Sequence, residues 1–271
     1  MSKMSTNPLF RYGAFLLDVD GVLVRGSRPI EGAARGLRRL QERGRTMLLT
    51  NNSSRSRSEH AERLKQFGFP VAPEDVLPSS YIAASYLSAR FGPVSFWVVG
   101  EAGLEAELRL AGHHPADSPS TADWVVAGID WSINYETLAD ALCALIAGAR
   151  LLGTNADPTF PAPDGLLPGA GAILGALEGM GFRPDAVIGK PSQIAFQTAL
   201  DHIGAEPGAV LMIGDRLETD ITGGAQAGMD TALVFTGIAD RATVARSAIR
   251  PTWTAESLAA LARGNLASPV M

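Results

Sequence analysis

The chain has 271 residues, 46% of them hydrophobic, and a formal net charge of −5 at pH 7. This length suffices for one large or two modest domains, either of which can bury a substantial core. The acidic balance argues against a nucleic-acid partner, and no apolar stretch reaches the roughly 18 residues of a membrane-spanning helix. The first eight residues lack the basic and apolar regions of a signal peptide, which predicts a cytoplasmic protein. The only cysteine, Cys143, lies in a helical pattern that predicts a small buried side chain.

The first strong pattern is at 15–23, where an apolar run is interrupted by Asp18, Asp20 and Gly21. It predicts a buried strand that carries acidic side chains to its carboxyl end, where open α/β sheets bind ligands. Gly21 indicates that the chain leaves the strand there, so that both carboxyl groups can turn into one site. Taken alone, the pair is equally compatible with a solvated turn.

Three later apolar runs also end in polar clusters. They lead to Thr50-Asn51-Asn52-Ser53, to Gly189-Lys190-Pro191-Ser192, and to Gly214-Asp215 with Asp220 following. Helical patterns alternate with these runs, and Ser56 and Glu59 have the spacing of a capping box at the start of one helix. A further helix is expected at about 219–227. The alternation predicts an α/β fold with a doubly wound, Rossmann-like parallel sheet.

A long insertion interrupts this sheet. Thr50 and Lys190 lie 140 residues apart, whereas a crossover between parallel strands needs only about a dozen. The intervening sequence has its own strand-like and helical patterns. We therefore predict a core domain formed by 1–79 and 183–271, with a smaller α/β domain inserted at 80–182.

The two acids of the first cluster suit a two-step hydrolysis. A carboxylate at a strand end can attack phosphorus and form an acyl phosphate, which divides one difficult reaction into two easier steps. We assign this role to Asp18. Asp20 is the candidate that protonates the leaving oxygen and then accepts a proton from the attacking water. The first of these tasks requires nearby negative charge or desolvation to hold the proton on Asp20 near neutral pH.

The acidic residues also predict a metal site. Asp18, Asp20, Asp215 and Asp220 beside an anionic phosphate would repel one another unless a cation is present. An all-oxygen set that leaves room for water and a phosphate oxygen suits Mg²⁺. We expect direct ligation by Asp18 and Asp215 with Asp220 further out. A helix N-cap role for Asp220 is an equal alternative.

The remaining two clusters can bind phosphate. Thr50, Asn51 and Asn52 follow a predicted strand, and their hydroxyl, amide and backbone N–H groups can donate to phosphate oxygens. Lys190 precedes a predicted helix start, where its ammonium and the helix amides would face an anion together. The alternatives are a polar turn for the first cluster and a surface lysine for the second.

In this order the four motifs resemble those of the haloacid dehalogenase (HAD) superfamily. The sequence is similar to subfamily IIA, the NagD-like, 4-nitrophenylphosphatase and phosphoglycolate phosphatase branch, which carries a large α/β cap of the C2 type between its second and third motifs. The resemblance extends over about 15–237 and includes two cap signatures, at 154–161 and 164–171.

This resemblance implies Mg²⁺-dependent hydrolysis of a small phosphorylated metabolite, with a cap that selects the substrate and excludes water. It implies Asp18 as nucleophile, Asp20 as acid and base with its backbone carbonyl on the metal, Thr50 and Asn51 on phosphate, Lys190 balancing charge and Asp215 on the metal. Asn155 and Asp157 match the first cap signature and are candidate substrate-binding residues.

Other functions stay open at this point. A phosphomutase or phosphotransferase would use the same chemistry but pass the phosphoryl group to a second acceptor. A phospho-accepting signalling domain also places an aspartate at a strand end, but it has no use for an acid and base at Asp20 or for a domain-sized cap. A silent metabolite-binding protein would not need all of these residues. An exposed cap surface leaves room for a homodimer.

Overall fold

Strands and helices alternate along most of the chain. The computed structural model describes residues 7–162 and 165–268. Its strands are β1 (Ala14–Leu17), β2 (Val24–Arg25), β3 (Arg28–Pro29), β4 (Arg45–Thr50), β5 (Val76–Pro78), β6 (Ser95–Val99), β7 (His114–Pro115), β8 (Trp124–Ala127), β9 (Arg150–Gly153), β10 (Thr159–Ala162), β11 (Gly165–Pro168), β12 (Ala186–Val187), β13 (Val210–Gly214), β14 (Asp230–Val234) and β15 (Trp253–Ala255). Its α-helices are α1 (Ala33–Gln41), α2 (Arg57–Gln66), α3 (Ser79–Phe91), α4 (Ala102–Leu110), α5 (Tyr135–Ile146), α6 (Ala170–Gly179), α7 (Gln193–Ile203), α8 (Thr222–Gln226), α9 (Arg241–Arg246) and α10 (Leu258–Leu261). Within the described ranges, no helix is long and apolar enough to cross a membrane.

The described residues form two compact units. The first contains the residues up to 49, then 63–71 and those from 196 onward; the second contains 50–62 and 72–195. Residues 50–62 and 183–195 thus cluster with the second unit. The assignment of a core and a cap with bounds at 80 and 182 stays a prediction.

The first unit is built on a parallel sheet, as the sequence predicts. Its strands lie in the order β15, β14, β13, β1 and β4. Every residue of β1 is buried, which suits a strand of a parallel sheet that is covered on both faces. Leu17 at the end of β1 is in register with Ile213 of β13 and with Leu48 of β4. The chain therefore leaves these neighbouring strands at the same edge of the sheet.

The second unit has a parallel sheet of its own, in the order β12, β9, β8, β6 and β7. All residues of β8 are buried, and helices α5 and α6 contribute Ala141, Leu145, Leu174 and Leu177 to an apolar cluster with it. Strands β10 and β11 form a separate antiparallel hairpin. The α/β class that the sequence predicts is therefore found in this unit as well.

Some local predictions need correction. Cys143 is exposed, because α5 buries Ala141, Ala144 and Leu145 and residue 143 lies on the opposite side of the helix. The helix expected at 219–227 starts as a π-helical turn, Leu217–Ile221, and continues as α8. Asp164, the first residue of the second cap signature, lies outside the described residues.

Helix α2 begins with the capping box that the sequence predicts. The Ser56 hydroxyl oxygen accepts the Glu59 N–H at 3.3 Å, and a Glu59 carboxylate oxygen accepts the Ser56 N–H at 2.7 Å. Both bonds satisfy donors that a helix start leaves unpaired. The hydrogen bond from the Ser56 backbone is the main cause that lowers the pKa of the Glu59 carboxyl below its ordinary value of 4.5.

We expect Glu59→Gln to lower the free energy of unfolding at pH 7 by about 0.5–1 kcal/mol, the usual value of a cap interaction. Because the folded-state pKa of Glu59 is lowered, its charge stabilises the fold above the ordinary pKa, and this contribution is lost as the pH falls through the folded-state pKa. Urea denaturation at pH 7 and at acidic pH measures the difference, which should shrink in acid. Glu62→Gln, an exposed change in the same helix, is the control and should show no such pH dependence.

Candidate active site

Three buried carboxylates converge in the first unit. Asp18 follows β1, Asp215 follows β13, and Asp220 lies in the π-helical turn just beyond. One oxygen from each carboxylate lies within 4.8 Å of the other two. Since β1 and β13 are parallel neighbours, their shared edge brings Asp18 and Asp215 together. Three of the four acids that were predicted to gather, Asp18, Asp215 and Asp220, therefore do so in the fold, while their metal-binding role stays a prediction.

Backbone N–H groups orient these carboxylates. The Val19 N–H donates to Asp18 Oδ1 at 2.7 Å, and the Ile238 N–H donates to Asp215 Oδ2 at 2.7 Å. Asp220 Oδ2 accepts the Asp215 N–H at 3.2 Å and the Arg216 N–H at 3.1 Å. An N-cap side chain accepts from residues that follow it, whereas Asp220 accepts from residues that precede it. The N-cap alternative for Asp220 is therefore wrong.

Three glycines let the backbone approach these side chains. A Cβ atom on Gly21 or Gly237 would overlap the Asp215 carboxyl group, and one on Gly214 would overlap Asp220. Gly21 also has a φ of +83°, which side chains rarely tolerate. The hydroxyl of Thr236 donates to the Gly21 carbonyl at 2.6 Å and ties the two loops together. Thr236 and Gly237 were not predicted from the sequence; their signal is a Thr-Gly step shortly after β14.

This donor set fits a hard divalent cation. Mg²⁺ and Ca²⁺ take oxygen ligands, including carboxylates. Asp18, Asp215 and Asp220 are all buried, at 9%, 4% and 0% exposure, and like charges this close are costly in the interior without a compensating charge. The Asp20 side chain does not belong to the group. Asp20 lies instead in a turn closed by the Gly21 N–H, which donates to the Val24 carbonyl at 2.7 Å.

A second polar group lies within the second unit and centres on Asn51. Its Nδ2 donates to the Lys190 carbonyl and to Asp157 Oδ2, both at 3.0 Å. Its Oδ1 accepts the Lys190 N–H at 2.7 Å, and its carbonyl accepts Asn155 Nδ2 at 2.7 Å. Four of the predicted substrate-site residues are therefore joined in one hydrogen-bond network. Their contact with substrate stays a prediction.

The other residues of the Asn51 turn are held by local bonds. Thr50 Oγ1 accepts the Asn52 N–H at 3.2 Å, and Asn52 Oδ1 accepts the Ser54 N–H at 2.9 Å. Ser53, to which the sequence analysis gave no role, is fully buried, and its Oγ accepts the Ile129 N–H at 3.1 Å. Its only signal in the sequence is its place at the end of a polar motif.

Lys190 is buried at 4% exposure, so the surface-lysine alternative is wrong. A lysine is seldom buried unless its charge is compensated. The preceding Gly189 permits this turn: a Cβ atom there would lie 2.5 Å from the Thr154 carbonyl oxygen and 2.7 Å from Asn51 Oδ1. The backbone at Gly189, just before Lys190, therefore packs closely against Thr154 and Asn51.

We expect Gly237→Ala to lower the free energy of unfolding by about 1–3 kcal/mol, because the added methyl group must displace the Asp215 carboxylate or the loop that carries it. Gly208→Ala is the matched control, since a Cβ there meets nothing within 4 Å. Urea denaturation monitored by circular dichroism measures both. Equal midpoints for the two variants would show that the packing around Asp215 is not tight.

The chain is similar to known proteins along most of its length. A haloacid dehalogenase-like hydrolase family matches residues 15–114, and a HAD-hydrolase-like family matches 187–261. The 5'-nucleotidase YutF of Bacillus subtilis is 37% identical over 249 residues, which are 91% of this chain and 96% of the relative. The p-nitrophenyl phosphatase from Archaeoglobus fulgidus has a TM-score of 0.88 and 35% identity, covering 93% of this chain and 98% of that one.

A third similar protein was solved with a metal. The glycerol phosphate phosphatase from Mycobacterium tuberculosis, in complex with calcium, has a TM-score of 0.85 and 33% identity, covering 93% of this chain and 75% of that one. The identities and coverage are high enough to establish the family along most of the chain. The chain therefore belongs to the haloacid dehalogenase-like hydrolases and is an enzyme of their NagD-like phosphatase branch.

Proposed function

We propose that this hydrolase is a Mg²⁺-dependent phosphatase that cleaves a small phosphomonoester through an aspartyl-phosphate intermediate on Asp18. The observation that carries the proposal is the group of three buried carboxylates within 4.8 Å of one another, two of them at the ends of adjacent parallel strands. A phosphate monoester is itself an anion, so a site with this much negative charge can accept it only together with a cation.

In the first step, a carboxylate oxygen of Asp18 attacks phosphorus, and the bond from phosphorus to the ester oxygen breaks. The leaving oxygen takes a proton from the Asp20 carboxyl, which spares the expulsion of an alkoxide. The products of this step are the free alcohol and an acyl phosphate on Asp18. The side chain of Asp20 is separate from the three-carboxylate group, which suits a residue that carries a proton.

In the second step, the Asp20 carboxylate removes a proton from a water molecule, and the oxygen of that water attacks phosphorus. The bond between phosphorus and Asp18 breaks, inorganic phosphate is released, and Asp20 has regained its proton. The two aspartates therefore return to their starting states after each turnover. Hydrolysis needs no acceptor other than water, which distinguishes it from a phosphomutase reaction.

The metal would be held by Asp18 and Asp215, with Asp220 further out and the Asp20 backbone carbonyl as an additional ligand. Asp220 already accepts two backbone N–H groups, which supports a role in orienting the loop after β13. A bound divalent cation neutralises the carboxylates and the phosphate oxygens, so that the nucleophile can approach. The three carboxylates provide fewer ligands than a divalent cation needs. This favours Mg²⁺, because Mg²⁺ usually retains several water molecules as ligands.

The second polar group would bind the phosphate and part of the substrate. Both N–H donors of the Asn51 amide are already used within the network, so the Thr50 hydroxyl, the Asn52 amide and the backbone N–H groups of the turn, including that of Asn51, would donate to phosphate oxygens. Lys190 would supply a positive charge for the transferring phosphoryl group. Asn155 and Asp157 are candidates for contact with the organic group, since both bond directly to Asn51. The network holds the side chains of Asn51, Asn155 and Asp157 and the backbone of Lys190 in place, which favours catalysis by preorganised polar groups.

The domain assignment belongs to the same proposal. Residues 1–79 and 183–271 would form the catalytic core, and 80–182 would form a cap that selects the substrate. Four of the five strands of the second unit's sheet, β6, β7, β8 and β9, lie within 80–182, while β12 lies just beyond it; this supports a segment with its own fold whose end is near this bound. A cytoplasmic location and a homodimer also stay predictions.

We expect Asp18→Asn to abolish phosphate release from 4-nitrophenyl phosphate, since the amide cannot act as the nucleophile. Asp20→Asn should lower kcat by about 10²–10⁴-fold, the usual contribution of general acid and base catalysis. Asp117→Asn, an exposed aspartate, serves as the control and should retain the wild-type rate. Phosphate release and circular dichroism are measured for each variant. Wild-type turnover by a folded Asp18→Asn variant would remove the proposed nucleophile.

We expect Mg²⁺ to raise the free energy of unfolding of the wild-type protein by about 2.7 kcal/mol at one hundred times its Kd, through preferential binding to the folded state. Asp215→Asn should lose this effect but be at least as stable as the wild type after treatment with chelator, because it removes a repelling charge. Thermal unfolding with Mg²⁺ and with chelator measures both. An unchanged Mg²⁺ response in Asp215→Asn would exclude Asp215 as a ligand.

A further inference from the structure

Two loops of the second unit bring aromatic side chains together at its surface. Trp131, at 48% exposure, follows β8, and the partly buried Phe160 lies in β10. Their ring centroids are 5.3 Å apart with an interplanar angle of 71°. This edge-to-face pairing is favourable in itself. It also leaves apolar surface of Trp131 exposed and therefore available for contact with a ligand.

Both loops are anchored on the turn that is proposed to bind phosphate. The Ile129 N–H donates to Ser53 Oγ at 3.1 Å, two residues before Trp131. Asp157 accepts Asn51 Nδ2 at 3.0 Å, three residues before Phe160. The segment that carries Trp131 is therefore hydrogen-bonded to Ser53, and the segment that carries Phe160 is hydrogen-bonded to Asn51, two residues earlier in the same turn.

The short connections limit how far the rings can lie from that turn. An extended chain spans at most about 3.3–3.6 Å per residue. The Cα of Trp131 is therefore within about 7 Å of that of Ile129, and the Cα of Phe160 is within about 11 Å of that of Asp157. A substrate with its phosphate at the Asn51 and Lys190 network would have its organic group within reach of the rings.

Other bonds hold the Trp131 loop in position. The Trp131 N–H donates to Glu101 Oε1 at 2.8 Å, and the Glu101 N–H donates to the Ile129 carbonyl at 3.1 Å. Both bonds are made through the backbone on the Trp131 side, so they survive replacement of the indole. These two contacts of the loop therefore do not depend on the ring that it presents.

The hairpin extends the apolar surface. Phe160 is directly opposite Leu167 in the antiparallel pair β10 and β11, and opposite residues project from the same face. Leu167 is 45% exposed. Trp131, Phe160 and Leu167 therefore form an aromatic and aliphatic surface, which we term the aromatic wall.

We propose that the aromatic wall binds the organic group of the phosphomonoester and selects substrates in which that group is a planar aromatic ring, such as an aryl ring or a nucleobase. The inference rests on the proposed phosphatase function and adds the substrate class. Planar rings gain contact on an aromatic surface whatever their substituents, since every such ring presents a π-face. A polyol phosphate such as glycerol phosphate offers no ring to this surface.

The test compares two substrates in wild-type protein and in single variants. We expect Trp131→Ala to raise KM for 4-nitrophenyl phosphate roughly tenfold, the usual loss when one stacked aromatic partner is removed, while kcat stays within about twofold. KM for glycerol phosphate should change by less than about twofold, since it makes no ring contact. Trp131→Phe keeps an aromatic side chain and should restore most of the loss for the aryl substrate.

Tyr135→Ala is the matched control, because Tyr135 is an aromatic residue of the same unit with 88% exposure and lies outside the aromatic wall. It should leave KM for both substrates unchanged. Equal changes for both substrates in Trp131→Ala, an equal effect of Tyr135→Ala, or a change in oligomeric mass without a change in KM would overturn the inference. If folded wild-type protein released phosphate from neither substrate, the proposed function itself would fail instead.

Discussion

The structure depends on a constraint of charge: three carboxylates are buried within 4.8 Å of one another. Carboxylates so placed repel one another, and the interior screens that repulsion far less than water does. The cost is reduced where backbone N–H groups point at the oxygens, as they do at Asp18, Asp215 and Asp220. These bonds orient the group, and a divalent cation is the natural means to balance its charge. A group with this much negative charge can accept an anionic substrate only if a cation accompanies it.

The fold provides this arrangement through strand ends and glycines. Adjacent parallel strands deliver Asp18 and Asp215 to one edge of the sheet, and Gly21, Gly214 and Gly237 leave room for the carboxyl groups. In the second unit, the side chain of one asparagine, Asn51, positions the candidate site residues. The side chain of Asn51 bonds to the Lys190 backbone and to Asp157, so that segments distant in sequence are fixed with respect to one turn. Rigid backbone elements thus position the functional groups in both units.

Much of this could be predicted from the sequence, because the apolar runs, their polar ends and the order of the motifs are local features. The α/β class and the capping box at Ser56 were predicted and found. The gathering of Asp18, Asp215 and Asp220 was also predicted and found, but the Asp20 side chain, which was predicted to join them, is not part of the group. The exposure of Cys143 was not predicted. The periodic pattern of α5 did not show which face of this helix is covered. The roles of Ser53 and Gly237 were also missed. Both depend on what a distant loop brings to them, and that information appears only in the folded chain.

A crystal structure of the wild-type protein grown with Mn²⁺ would show whether Asp18 and Asp215 hold a divalent cation, with Asp220 further out. Anomalous scattering locates Mn²⁺ without reference to the protein coordinates. The account predicts one strong peak within coordination distance of carboxylate oxygens of Asp18 and Asp215. A well-ordered site with no peak there, or a peak bound only by other residues, would contradict it.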